Sequence, residues 1–218
     1  MSLEIAVAET FIRCLEQSQC YAEPYRHWLL SDALPERAAR AIAELPWNPP
    51  SRRETYGKRE TGNDHRSYFS PDQRQRHPVC DKVALAFQSP AVVAAIARTC
   101  AARLDGSFLR IEYCQDTAGF WLEPHTDIGA KRFTMLLYLS EGPGSESWGT
   151  DVLDANKVLV RRAPYGFNKG VIFIPADDTW HAFAERPIDG VRKSIIINYV
   201  GPEWRSRHEL AFPEAPVA

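Results

Sequence analysis

From Ser107 onward the chain is a succession of short apolar runs separated by turn-rich links, and this limits the available folds more than any other feature of the sequence. The runs are FLRIEYC (Phe108 to Cys114), FTMLLYL (Phe133 to Leu139), a strand around Val152 and Leu153, KVLVRRA (Lys157 to Ala163), VIFIP (Val171 to Pro175) and SIIINYV (Ser194 to Val200). Links such as EGPGSESWG and APYGFNKG carry the glycines, prolines and asparagine that turns demand. Many short strands at regular spacing predict a sandwich or barrel. No internal repeat is present.

Upstream the pattern is helical. Ser2 to Glu16 mixes its apolar residues in a way that fits one helix or a strand followed by a helix. YRHWLL (Tyr25 to Leu30) reads as a short strand. Pro35 to Leu45 reads as a helix, with Ala38, Ala41, Ile42 and Leu45 on one stripe. His77 to Phe87 and Ser89 to Leu104 read as two more. Ser89 caps the second, Pro90 opens it, and Val93, Ile96, Cys100 and Leu104 form its buried face. Helices first and strands afterwards predict an α+β, mainly β fold. The expected form is a double-stranded β-helix (jelly roll) with N-terminal helices packed on it. The expected domain is single over 1–218: helical support and a loop over 1–106, the jelly-roll core over 107–201, and a tail over 202–218. Arg52 to Gln75 is highly charged and glycine-punctuated, and reads either as a solvated loop or as a substrate lid.

Charge and cysteines narrow the function classes. A formal net charge of −2 supplies no basic field, so no nucleic-acid partner is expected. Cys14, Cys20, Cys80, Cys100 and Cys114 are scattered, odd in number and contain no C-x-x-C. A disulfide framework or zinc knuckle is therefore not expected, and most of them read as small buried hydrophobes. No leader peptide and no apolar run of about 18 residues is evident. The expectation is a cytoplasmic protein with no membrane partner. Oligomeric state is not legible.

The chemistry-bearing stretch is FWLEPHTD, Phe120 to Asp127. In an extended segment His125 and Asp127, at i and i+2, project to the same side. His181, beyond the run VIFIP, is the candidate third donor. Two histidines and one carboxylate with open positions left over form the ligand set of non-heme iron(II) oxygenases. Arg192-Lys193-Ser194 opens the last strong strand. Alternation puts Arg192 and Ser194 on one face and Lys193 on the other. A guanidinium beside a hydroxyl suits a carboxylate ligand. Each residue alone also fits a plainer role. His181 beside Trp180 fits a core-edge histidine, and Arg192 fits a surface residue paired to Glu185 or Asp189. Tyr113 and Tyr138 fit packing positions, and Asn198 fits either a pocket wall or a backbone partner. His27, His65, His77 and His208 lack comparable context.

Taken together, H-x-D, a distal His and a basic residue about ten positions later as R-x-S resemble the signature of the 2-oxoglutarate/Fe(II)-dependent oxygenases. The similarity is to their prolyl-hydroxylase-like branch, carried further by Tyr113 in IEYCQ, Tyr138 in MLLYLS and the entry YRHWLLSDALPERAARAIAEL. It covers roughly Phe108 to Gly201. The resemblance implies Fe(II) held by His125, Asp127 and His181. It also implies 2-oxoglutarate as cosubstrate, with its far carboxylate on Arg192, helped by Ser194, Tyr138 and Tyr113, and O2 as oxidant. The implied reaction is hydroxylation of a small molecule or an amino-acid side chain with release of succinate and CO2. One departure is Trp148-Gly149-Thr150-Asp151, where many relatives carry a Gly-Gly pair. Two other readings stay open: a cupin-type metal enzyme that does not use 2-oxoglutarate, and a non-catalytic β-sandwich binding module. A cupin has no need of a carboxylate anchor at Arg192 and Ser194.

Overall fold

The computed structural model describes residues 1–49, 57–58 and 66–218. In chain order the elements are helix α1 (Leu3–Gln17), strands β1 (Gln19–Tyr21) and β2 (His27–Ser31), and helix α2 (Glu36–Ala43). Strand β3 (Ser67–Tyr68) and helices α3 (Pro71–Arg76), α4 (Pro78–Gln88) and α5 (Pro90–Cys100) follow. The remaining strands are β4 (Phe108–Asp116), β5 (Leu122–His125), β6 (Lys131–Tyr138), β7 (Asp151–Leu153), β8 (Leu159–Arg162), β9 (Lys169–Phe173), β10 (His181–Phe183) and β11 (Arg192–Val200). They form two antiparallel sheets. One has seven strands in the order β1-β2-β9-β6-β11-β4-β3, the other four in the order β5-β10-β7-β8. The architecture is α+β, with N-terminal helices and two antiparallel sheets.

The ambiguous N-terminal stretch is one helix. Ser2 caps α1 by accepting from the Ile5 amide at 3.3 Å. Val7, Phe11, Cys14 and Leu15 then fall on a single buried face. α5 stops earlier than its apolar stripe suggested, because Ala101 turns into the left-handed region at φ 57°. Leu104 remains buried beyond that turn. The charged stretch is partly ordered structure. Its described end holds β3 and α3, and Ser70 caps α3 ahead of Pro71. The lid-or-loop reading of residues 52–56 and 59–65, and His65 with it, lies outside the described residues. The β-structure also begins earlier than residue 107, since β1, β2 and β3 all join the larger sheet.

The larger sheet is buried on both faces, which is why its central strands read as nearly unbroken apolar runs. On β11, Ile195, Ile197 and Tyr199 face the helices with Phe11, Phe87, Ile96 and Met135. Ile196 faces the smaller sheet with Leu136, Tyr138, Phe173 and Phe183. Each fully buried Ile or Phe contributes about 1.5–3 kcal/mol, so both layers pin the register of β11 between β4 and β6. The C-terminal segment closes one end of β4. Leu210 bridges to Arg110, and the Val217 amide donates to the Ser107 carbonyl at 2.8 Å. Cys14, Cys80, Cys100 and Cys114 are buried and Cys20 is exposed.

Candidate active site

β5 ends at His125 and β10 begins at His181, and the two residues are direct partners across that antiparallel pair. Their rings lie 4.3 Å apart, centroid to centroid. The two imidazoles are oriented in the same way. Nδ1 of His125 lies 2.7 Å from the carbonyl of Glu123, and Nδ1 of His181 lies 3.0 Å from the carbonyl of Thr179. A carbonyl can only accept, so Nδ1 carries a proton in each ring and Nε2 is the nitrogen left for another partner. Burial pushes His181 down to about 4, despite the opposing pull of Asp127, so the ring is neutral at neutral pH.

Asp127 shares a cavity of about 490 Å³ with both histidines. Burial alone would raise its carboxyl. Lys131, His181 and Thr134 outweigh that and hold it at about 2. Lys131 donates to Oδ1 at 2.5 Å and Thr134 to Oδ2 at 2.6 Å. Among the described residues no group of three His, Cys, Asp or Glu side chains stands ready-made to hold a metal ion. The donor set nevertheless suits one chemically: two imidazoles whose Nδ1 atoms are spent on carbonyls, and one ionised carboxylate. A carboxylate offers about four lone-pair directions, so Lys131 and Thr134 do not exhaust Asp127.

β11 carries Arg192 to the far end of the same cavity. Arg192 is buried, and its Nε donates to the Trp148 carbonyl at 2.8 Å. Its Nη1 donates to Asp116 at 2.5 Å, and its plane lies 4.7 Å from the Phe183 ring centre. The expected surface partners, Glu185 and Asp189, are not the ones it uses. Asp116 is the register partner of Arg192 on β4 and was not singled out from sequence. The second guanidinium nitrogen, Nη2, has no hydrogen-bond acceptor among the described residues. Ser194, two positions along the same face, is fully buried with its hydroxyl unpartnered. Lys193 points to the other side and donates to the Ala43 carbonyl, as alternation requires. An orphaned hydroxyl beside an incompletely used guanidinium fits the carboxylate of an organic acid.

The two tyrosines part company. Tyr138 faces the space between the sheets and is fully buried. Its hydroxyl donates to Thr150 Oγ1 at 2.9 Å and accepts from the Thr150 amide at 3.0 Å. Thr150 itself lines the cavity, so this tyrosine acts through Thr150. Tyr113 does not belong to the site. It lies on the opposite face of β4, in the helix-side core, with its ring 5.2 Å from Trp47 and its hydroxyl on the Ala43 carbonyl. The reason is strand phase: Arg110, Glu112, Cys114 and Asp116 share the face that Tyr113 does not. Gly149 in the departing WGTD stretch is forced, since a Cβ there would sit on the Ala163 carbonyl oxygen. Asn198 is a link and not a wall. It accepts from Arg110 at 3.1 Å and donates to Thr134 at 2.9 Å, joining Asp127 to a charged cluster further along β4.

With this geometry in hand, the fold can be set beside known structures. It matches prolyl 4-hydroxylases across most of the chain at low sequence identity. A prolyl-4-hydroxylase of Pseudomonas putida aligns with a TM-score of 0.59 and 18% identity, over 89% of this chain and 98% of that one. A prolyl 4-hydroxylase of Phytophthora capsici aligns with a TM-score of 0.63 and 15% identity, over 93% of this chain and 67% of that one. The viral collagen prolyl hydroxylase of Paramecium Bursaria Chlorella virus-1, solved as a 2OG complex, aligns with a TM-score of 0.52 and 13% identity, over 80% and 94%. No protein-family model and no curated protein sequence matches the chain.

Proposed function

We propose that the chain is an Fe(II)- and 2-oxoglutarate-dependent dioxygenase that hydroxylates a small molecule or an amino-acid side chain. The observation that carries the reading is the pairing of His125 with His181. Both rings spend Nδ1 on a backbone carbonyl two residues upstream and leave Nε2 for another partner, beside the ionised Asp127 in one cavity. A pair of packing histidines has no reason to share that orientation. His125, Asp127 and His181 would hold the iron, and Arg192 Nη2 with Ser194 Oγ would hold the far carboxylate of 2-oxoglutarate. The iron and cosubstrate would supply the activation of O2 and the oxidation of a C–H bond. The protein's own contribution is positional. The carbonyls of Glu123 and Thr179 fix the imidazole planes, Lys131 and Thr134 keep Asp127 ionised, and Thr150 with Tyr138 braces the wall next to Arg192. Leu136, Phe183 and Ile196 keep water from that end of the cavity. The similarity of fold to a viral hydroxylase solved with 2OG supports this reading.

The test needs no substrate. Protein mixed with Fe(II) and 2-oxoglutarate without oxygen should give a visible charge-transfer band, and His125→Ala or His181→Ala should abolish it. Iron binding without the band would favour a cupin-type enzyme. No metal binding at all would return the chain to a binding module.

A further inference from the structure

The cavity continues past the candidate metal ligands, away from Arg192, into a charged end that the reading above does not use. Arg66, Arg110, Glu112, Trp204, Ser206 and Glu209 line it. Arg110 is buried and held on two sides, by Glu209 at 2.6 Å and Glu112 at 2.7 Å. Arg66 grips Glu112 with Nε at 2.9 Å and Nη2 at 3.0 Å. Among the described residues, two guanidiniums here face two carboxylates, so this end is strongly polar and carries both charges. It is also incompletely paired. Among the described residues Nη1 of Arg66 has no acceptor and Oε1 of Glu209 has no donor. The indole N–H of Trp204 is buried with no partner.

Two donors and one acceptor without partners, on residues that line the same end, select a ligand that carries both charges. A dianion would gain from the guanidiniums and lose to Glu112 and Glu209. An apolar ligand would strip water from Glu209 and leave the Trp204 N–H unanswered. An ammonium next to a carboxylate answers all three groups.

We infer that this end of the cavity binds the α-amino-carboxylate head of a free amino acid, with the carboxylate on Arg66 and Trp204 and the ammonium on Glu209. The inference rests on the oxygenase reading and names its substrate class. Asn198 and Thr134 connect Arg110 to Asp127 by hydrogen bonds of 3.1, 2.9 and 2.6 Å. A head group seated here therefore presents a side chain of several carbons to His125 and His181. Arg66, Trp204 and Glu209 are specificity-determining residues in this arrangement.

The experiment is calorimetric titration of the protein loaded with Mn(II) and 2-oxoglutarate. The ligands are each of the twenty standard free amino acids and their N-acetyl carboxamides. At least one free amino acid is expected to bind, with its capped form about 100-fold weaker or more. Glu209→Gln and Arg66→Gln are each expected to weaken that binding about 10- to 100-fold, as loss of a charged hydrogen bond does, with 2-oxoglutarate affinity unchanged. Arg66 is the more exposed residue, so its variant reads the effect even if Glu209→Gln loosens Arg110 and fails to fold. If wild-type protein does not bind 2-oxoglutarate, the oxygenase reading itself falls. Normal 2-oxoglutarate binding with no free amino acid bound, or with capped forms bound equally well, overturns the head-group inference alone. So does unchanged amino-acid affinity in folded variants.

Discussion

Arg192 and Asp116 are register partners on neighbouring strands, and both are almost wholly withdrawn from water, with 2.5 Å between guanidinium and carboxylate. The pair fixes the direction of the guanidinium fork: Nη1 holds Asp116, Nε holds the Trp148 carbonyl, and Nη2 has no acceptor among the described residues.

Two consequences can be separated. Asp116→Ala removes a buried counter-charge and should cost about 3–5 kcal/mol of stability, read from urea unfolding. Arg192→Ala should weaken 2-oxoglutarate binding about 10- to 100-fold, by loss of a charge-assisted contact. Calorimetry that finds the affinity unchanged in Arg192→Ala would move the anchor elsewhere.

Tyr113 and Tyr138 give a paired test. Tyr113→Phe loses only a long 3.4 Å bond to Ala43 in the helix-side core. It should change stability by about 1 kcal/mol or less and leave 2-oxoglutarate affinity untouched. Tyr138→Phe strips both bonds from Thr150 and should lower that affinity as well as stability. Equal effects of the two substitutions would contradict the strand phase.

Acid should unfold the metal-free protein early. His181 has an ordinary value of 6.5 and is pushed down to about 4 in the fold, so between those values the unfolded chain binds more protons. Stability therefore falls as the pH drops through that window, by about 1.4 kcal/mol per unit at most. Asp127, lowered from 3.8 to about 2, adds a second loss as the pH falls through that range. His181→Gln should flatten the first slope. Parallel pH profiles for the two proteins, followed by urea midpoints, would refute the assignment.

Gly149→Ala should be among the most damaging single-methyl additions in the chain, because the new carbon meets backbone and not a movable side chain. A cost above about 2 kcal/mol is expected, at the upper range of overpacking. Thermal melting would check it, and a neutral result would mean that β7 and β8 can separate freely.

That His125, Asp127, His181 and Arg192 converge on one cavity was legible in the sequence, because each lies in or beside a strand where spacing dictates direction. It misplaced Tyr113 because one residue of phase on β4 decides which layer a side chain enters: Tyr113 alternates in step with Leu109 and Ile111, which enter the helix-side core, while Arg110 and Glu112 line the cavity. Asp116 was hidden for a related reason: its importance lies in a partner 76 positions away that only pairing of β4 with β11 supplies. α3 escaped notice inside a charged stretch, although Ser70-Pro71 is a helix-opening pair. Trp204 and Glu209 lie in the segment read as a tail, where no periodicity marks a residue as facing a cavity.

The two-sided burial of β11 makes its sequence a ruler. Substituted one position at a time from residue 192 to 200, the strand should return a phenotype that beats with a period of two. Even-numbered positions would report on what the cavity accepts, and odd-numbered ones on whether the helices stay attached. Two adjacent isoleucines, Ile195 and Ile196, would thus behave in a mutational scan as residues of different proteins.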